Sequence, residues 1–277
     1  MRKRPCWRQF GELAPVAKPC RVAYIRGMTK HTPKARLYVT ADLLAGRPVV
    51  PDREQQHYLI NVMRLAAGDQ VALFNGRDGE WHADIQMTGR KSCDLLPTDQ
   101  TRQQVASPDL WLLFAPVKKA RLDFIAQKAS EMGCSRIWPV RTDYCQVARV
   151  NDDRIMANAI EAAEQTERLD IAEIMPFTPL DEALAAMESD RRLIFCDEAL
   201  AGSDSAGAIA TLSAAAPLQR AAVLIGPEGG FSPAERHRLD GHENCLKLSL
   251  GPRILRADTA AIAALTCYQS VCGDWVG

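Results

Sequence analysis

The sequence predicts an α/β protein in two parts, a small β-barrel over residues 35–105 and a larger domain over 107–277, with a basic extension at 1–34 ahead of both. Three observations carry this. From Ala35 short alternating apolar runs follow one another with turn dipeptides between them. From Leu110 strand-length apolar runs alternate with amphipathic helical segments. Two late apolar runs, Ala221 to Ile225 and Cys245 to Leu250, each end in Gly-Pro before a helix begins. With 277 residues, 47% hydrophobic and 25% charged, the chain is long enough for two cores and too apolar to be disordered.

In the first part the strands are ARLYVT, QVALFN and EWHADIQM, separated by Gly68-Asp69, Asn75-Gly76 and Asp78-Gly79. One helix is expected from Asp52 to Leu65. It places His57 and Arg64, seven residues apart, on one face. Such a pair can grip an RNA backbone; equally, His57 can be a cap or packing residue and Arg64 a helix-end charge favoured by the dipole. The polar, proline-bounded stretch Asp94 to Pro108 reads as a linker.

In the second part Leu110 to Val117 is a buried strand, followed by the amphipathic helix VKKARLDFIAQKASEMG, which Gly133 ends. SRIWPV is the next strand and Asp152 to Glu167 the next helix. Then come IAEIMPF, a helix from Leu180 to Glu188, the strand RLIFCDE and a small-residue segment from Gly202 to Ala216. After Ile225, Ser232-Pro233-Ala234-Glu235 has the form of a capping box with proline at the first helical position. After Leu250, Arg253 and Arg256 stand beside Asp258 and Thr259 at the start of an alanine-rich final helix. Ligands of open α/β sheets sit beyond the carboxyl ends of strands, so two glycine-bearing loops there either form a small-molecule pocket or are ordinary strand-to-helix turns.

Composition bounds the function. The nine cysteines include no Cys-x-x-Cys pair and lie mostly in apolar segments, which points to reduced thiols and to no metal site. No apolar run approaches the roughly 20 residues that cross a bilayer, and no leader resembles a secretory signal; a cytoplasmic protein is expected. Net charge is zero, yet residues 1 to 36 carry ten basic and one acidic side chain. That tail reads as a solvated extension, a phosphate-binding arm or an organellar address. No Gly-x-Gly-x-x-Gly follows an early strand with an acidic residue about 20 positions on, which argues against a dinucleotide enzyme.

LIGPEGGFS together with LSLGPRILRADTA resembles the paired signature of the 16S rRNA uracil-N3 methyltransferases, a bacterial family of the SPOUT, or trefoil-knot, superfamily. The likeness extends over about residues 36 to 270. HYLINVMRLAAGDQVALFNGRDGEWHADI is similar to the family's PUA-like barrel, with His57 and Arg64 at its histidine and arginine positions, and QKASEMG to its basic helix, with Lys128. EAAEQTERLDIAEI resembles its Glu-Gln-Cys-Gly-Arg segment; Arg168 is retained, but Thr166 and Glu167 replace Cys-Gly, and Asp258 stands where glutamate is more usual.

The resemblance implies a knotted α/β domain with a PUA-like barrel, a homodimer, S-adenosylmethionine as cofactor, and uridine N3 of the assembled small ribosomal subunit as acceptor. By likeness the cofactor is held by Leu224, Ile225, Gly226, Glu228 and Gly229 from one loop, and by Leu248, Ser249, Leu250, Gly251, Ile254 and Leu255 from the other. Cys196, Asp197 and Glu198 come to the rim. His57, Arg64, Lys128, Arg168 and Arg253 are the implied RNA contacts. Uracil N3 must lose a proton to become nucleophilic, so the chemistry calls for a base and for donors to the charge spreading onto O2 and O4. Arg256 is the expected substrate-facing group, with Asp258 its orienting partner or the base; a plain ion pair at the helix start is the competing account. Alternative functions are a knotted methyltransferase for another RNA and a catalytically silent RNA-binding dimer.

Overall fold

The computed structural model describes residues 33–203 and 205–276, so the extension lies almost wholly outside the described residues. The first part is a four-stranded sheet in the order β1 (Arg36–Tyr38), β2 (Gln70–Phe74), β3 (Glu80–Gly89) and β4 (Ser92–Arg102). β1 runs parallel to β2 and the rest are antiparallel. Three irregularities in the β3–β4 register bend the pair, as extra residues in one strand do. The curled sheet encloses Leu37, Val49, Leu59, Val71, Leu73, Ile85, Cys93 and Leu95, and a bridge between Val49 and Leu95 joins the preceding loop to it.

Two expectations fail here. Most of the supposed linker is β4, in which Cys93, Leu95 and Pro97 alternate inward; Pro97 lies where the register skips a residue, the position a sheet allows a proline. The supposed helix is α1 (Arg53–His57) followed by a π-helical turn over Tyr58–Val62. Arg64 then takes a left-handed φ of 55°. His57 and Arg64 are both exposed but do not share a continuous α-helical face.

The second part is a parallel sheet in the order β11 (Cys245–Leu248), β9 (Arg192–Cys196), β10 (Arg220–Ile225), β5 (Asp109–Phe114), β6 (Arg136–Arg141) and β7 (Glu173–Ile174), with β8 (Thr178–Pro179) also on β6. Within IAEIMPF only Glu173–Ile174 is strand, and the second short strand, Thr178–Pro179, follows it. The central strands are apolar at nearly every position because both faces are covered. Leu112, Phe114, Val223 and Ile225 face one side, Trp111, Leu113, Ala222 and Leu224 the other. The helices are α2 (Lys119–Glu131), α3 (Asp152–Gln165), α4 (Leu180–Ala185), α5 (Ala208–Ala215), α6 (Pro233–Asp240) and α7 (Ala257–Val271).

β10 lies between β9 and β5, β11 lies outside β9, and α7 returns to pack on α2, α5 and β10. On the way, residues 249–252 run against the segment that follows β9. Gly207 bridges to Ser249, Ser249 Oγ donates to the Leu200 carbonyl at 3.4 Å, and Gly202 lies beside Pro252. The final helix is thereby drawn past the loop after β9, the trefoil arrangement.

The two parts meet along α3. Arg36 of β1 pairs with Glu80 at 2.7 Å and donates to the carbonyls of Ala163, at 2.8 Å, and Arg168. The Tyr38 N–H donates to Glu164 Oε1 at 2.9 Å, and Arg102 Nη1 to the Glu167 carbonyl at 2.9 Å.

Candidate functional site

Three consecutive loops at the carboxyl ends of β9, β10 and β11 build one cavity of about 560 Å³, counting its open mouth. Ile225, Leu248, Leu250, Ile254, Leu255, Ala257 and Ala260 form its apolar wall, with Gly226, Pro227, Glu228, Gly251 and Arg253 between them and Cys196, Asp197, Glu198 and Ala201 along one side. Burial raises the Cys196 thiol far above its usual range, so it is an inert apolar surface.

Each loop has a physical reason for its shape. After β10, a Cβ on Gly226 would lie 2.5 Å from the Phe231 ring. Gly230 has a φ of +70°, and a Cβ there would lie 1.8 Å from Glu198 Oε1, so only glycine fits. The chain then enters α6 through the expected capping box of Ser232 and Glu235. Arg236 on α6 reaches back to pair with both Asp197 and Glu198 and donates to the Phe231 carbonyl at 3.2 Å. Two loops are thereby fixed to one helix.

After β11 the backbone of residues 250–255 makes no hydrogen bond among the described residues except from the Gly251 N–H to Ser249 Oγ at 3.5 Å. Apolar walls beside unpaired N–H and C=O groups suit a flat heterocycle that stacks on its faces and bonds at its edge. Ile254, 76% exposed at this loop, is the kind of apolar side chain a ligand would cover.

The catalytic pair is arranged differently from expectation. Arg256 is the N-cap residue of α7, exposed, and among the described residues its guanidinium makes no hydrogen bond or ion pair. Asp258 does not pair with it. Asp258 Oδ1 accepts from the Thr259 N–H at 2.8 Å, and Oδ2 lies 3.7 Å from Nε of Arg121. Arg121, on the first turn of α2, also donates to Glu228 Oε1 at 2.8 Å. It therefore connects the β10 loop with the start of the last helix. Nothing along the chain indicates that Arg121 has a partner 107 residues away.

Of the implied cofactor residues, Ile225, Gly226, Glu228, Leu248, Leu250, Gly251, Ile254 and Leu255 line the cavity. Three do not. Leu224 points to the opposite face of the sheet with Phe195 and Phe231, as the period of two requires. Gly229 is exposed and lies beside Tyr144, and Ser249 is buried as the tie to Leu200. Ala201, Pro227, Ala257 and Ala260 were missed; Ala257 and Ala260 sit on the final helix, three residues apart and so on one face.

Arg168 is corrected. Only 9% exposed, it donates to the carbonyls of Ser130 at 2.6 Å and Cys134 at 2.9 Å and pairs with Asp170 at 3.0 Å. With every donor face spent inside the protein it is a structural clamp, not an RNA contact. Its direction survives the loss of glycine because Glu167 itself adopts a φ of +60°. Lys128 pairs with Glu131 at 2.6 Å along α2, two turns and roughly 10 Å from Arg121. Arg253 lines the cavity, while His57 and Arg64 lie on the first part. No group of three side chains that could hold a metal ion, and no helix long and apolar enough to cross a membrane, occurs among the described residues.

A barrel-like sheet docked to a trefoil-knotted parallel sheet, with three loops around one cavity, defines an RNA methyltransferase. The family model described as the RNA methyltransferase domain matches residues 105–269, and that of the RNA methyltransferase PUA domain matches residues 50–98. The chain belongs to the ribosomal RNA small subunit methyltransferase E family. It is 30% identical to the Rickettsia conorii enzyme of that name, over 83% of this chain and 93% of the relative, and 26% identical to that of Bacillus subtilis, over 78% and 88%. Among solved structures, a methyltransferase from Legionella pneumophila in complex with S-adenosylmethionine superposes with a TM-score of 0.76 at 29% identity, covering 88% of this chain and all of that one. The small subunit methyltransferase E of Neisseria gonorrhoeae, bound to S-adenosylmethionine, gives 0.75 at 26% identity, covering 87% and 99%.

Proposed function

We propose that this protein transfers the methyl group of S-adenosylmethionine to N3 of a uridine in 16S rRNA, on the assembled small ribosomal subunit, in the cytoplasm and as a homodimer. The observation that carries the reading is the cavity itself. Its apolar wall and the unpaired backbone groups of residues 250–255 suit an adenosine, and they occur in a chain that matches a ribosomal RNA small subunit methyltransferase E over 83% of its length. Residues 35–105 would hold the RNA, with His57 and Arg64 exposed for that purpose, and residues 107–277 would carry the chemistry.

Ile225, Gly226, Leu248, Leu250, Ile254 and Leu255 would hold the cofactor, which supplies an electrophilic methyl group when bound. Glu228, Asp197 and Glu198 also line the cavity, each held by an arginine, Arg121 or Arg236, that fixes the loop it stands on. The protein's remaining task is to deliver the acceptor nitrogen in line and to deal with its proton. Arg256 carries a positive charge at the positive end of the α7 dipole, where folding alone gains nothing from it. A polyanionic substrate and the charge developing on uracil O2 and O4 give it a purpose. Asp258 Oδ1 is occupied by Thr259, so Oδ2 is the oxygen placed to take the N3 proton, with Arg121 orienting it.

The test is methyl transfer from labelled S-adenosylmethionine to small subunits from a strain lacking the modification, with nucleoside mass analysis. N3-methyluridine is expected, and Arg256→Ala should abolish it while leaving cofactor affinity and thermal stability intact. Label in any other nucleoside, or none, would refute the assignment.

A further inference from the structure

The connection between β6 and α3 is fixed on both sides of Tyr144. The Asp143 N–H donates to Glu235 Oε1 at 2.8 Å, and its carboxylate accepts the Ser232 hydroxyl, so the cap of α6 also anchors this loop. The Cys145 thiol lies 3.7 Å from the carbonyls of both Pro116 and Val147 and shares its one proton between them. Between these anchors the tyrosine side chain is 48% exposed, and its hydroxyl makes no hydrogen bond among the described residues. Its Cβ and ring edge rest on Gly229: a Cβ built there would be 3.3 Å from Tyr144 Cβ and 3.8 Å from Cγ and Cδ2.

Gly229 directly follows Glu228, which lines the cavity and binds Arg121, itself 3.7 Å from Asp258. Tyr144 therefore stands against the loop that carries Glu228, on an element that contributes nothing to the cavity wall. Among the described residues of the three loops and this connection the other aromatic ring, Phe231, is buried edge-on against Phe195. The chain is anchored at the residues on either side while Tyr144 itself stays half exposed. A uracil drawn from its strand loses its stacking neighbours, and an aromatic face at the pocket replaces them.

We propose that Tyr144 is the platform on which the acceptor base stacks, a positioning residue for the methylation; this rests on the RNA-methylating function above. Binding by stacking is sequence-tolerant, so Tyr144 sets how firmly a base is held, and the groups around Asp258 decide which atom reacts.

The test compares the wild type with Tyr144→Phe, Tyr144→Leu and Tyr144→Ala, measuring KM for small subunits and for S-adenosylmethionine separately, with thermal melts. Phe should match the wild type. Leu and Ala should raise KM for subunits by about 5- to 150-fold, the loss of one base–ring contact, with cofactor KM and melting temperature unchanged. Leu keeps the Cβ contact with Gly229 and most of the apolar volume, so it separates stacking from packing. Wild-type KM in the Leu variant would overturn the proposal and leave the methylation reading standing. A cofactor KM that rises in parallel would also overturn it, by assigning Tyr144 to the support of the β10 loop. Absence of N3-methyluridine with the wild type would sink the methylation reading and this proposal together.

Discussion

Glu167 offers a measurable test of the interdomain geometry. Its φ of +60° is left-handed, and it stands where the signature this segment resembles has glycine. For an L-residue with a Cβ that conformation costs about 1 kcal/mol or more. Against this, the Glu167 carboxylate gains an ion pair with Arg102 at 3.8 Å, but its side chain is 69% exposed. Such a pair contributes on the order of 0–0.5 kcal/mol. The Arg102 hydrogen bond at 2.9 Å goes to the Glu167 carbonyl, which every substitution retains. Glu167→Gly should therefore stabilise the protein by about 0.5–1 kcal/mol, net of glycine's greater freedom when unfolded. Glu167→Asn should give part of that gain, because asparagine tolerates the left-handed region. Glu167→Ala, which keeps the Cβ and loses the ion pair, should be no better than the wild type. The assay is urea unfolding followed by far-UV circular dichroism, with thermal melts as a check; the glycine variant should melt roughly 1–4 °C higher. If glycine and alanine behave alike, the left-handed conformation is not strained and the argument is wrong.

Arg168→Ala should cost about 3 kcal/mol, because it strands the Ser130 and Cys134 carbonyls and Asp170 in a site from which water is largely excluded; chemical denaturation measures it, and near-neutral stability would restore Arg168 to the RNA-facing list. Gly230→Ala should lower cofactor affinity and stability together, since its Cβ would collide with Glu198 at a φ of +70°; calorimetric titration with S-adenosylmethionine reads the first and a melt the second. Burial raises the Glu164 carboxyl above the ordinary glutamate range. Its folded state therefore holds a proton the unfolded state has lost, and stability falls as pH rises from the unfolded pKa through the folded one. Glu164→Gln, which still accepts from the Tyr38 N–H, should remove that decline, so its advantage over the wild type appears as pH rises through this window and then levels off; equal pH profiles would contradict this.

Local chemistry made much of the site legible. The strand-Gly-Pro pattern located two of its three loops, since a strand must end before a turn that only glycine and proline allow. The capping box at Ser232 to Glu235 formed as written, because its bonds span three residues and need no tertiary partner. The alternation in β4 was equally present but hidden by Pro97 and by a polar second half. The π-helical turn after His57 was not legible, because nothing in Tyr58 to Val62 distinguishes it from an α-helix by composition.

By itself, then, the sequence determined the two-part α/β organisation, the loops that build the cavity and the family to which its signature belongs, all of which follow from spacings of a few residues along the chain. Tertiary structure alone decided which charges meet. Asp258 lies by Arg121 and not by Arg256, Arg168 turns inward, Arg236 reaches back to the loop after β9, and Tyr144 comes to the β10 loop from an element far from the signature. Side-chain pairing across a sheet depends on how strands are ordered and how the last helix returns past them. That order is fixed by the burial of both sheet faces at once, a property of the whole domain that no local spacing encodes.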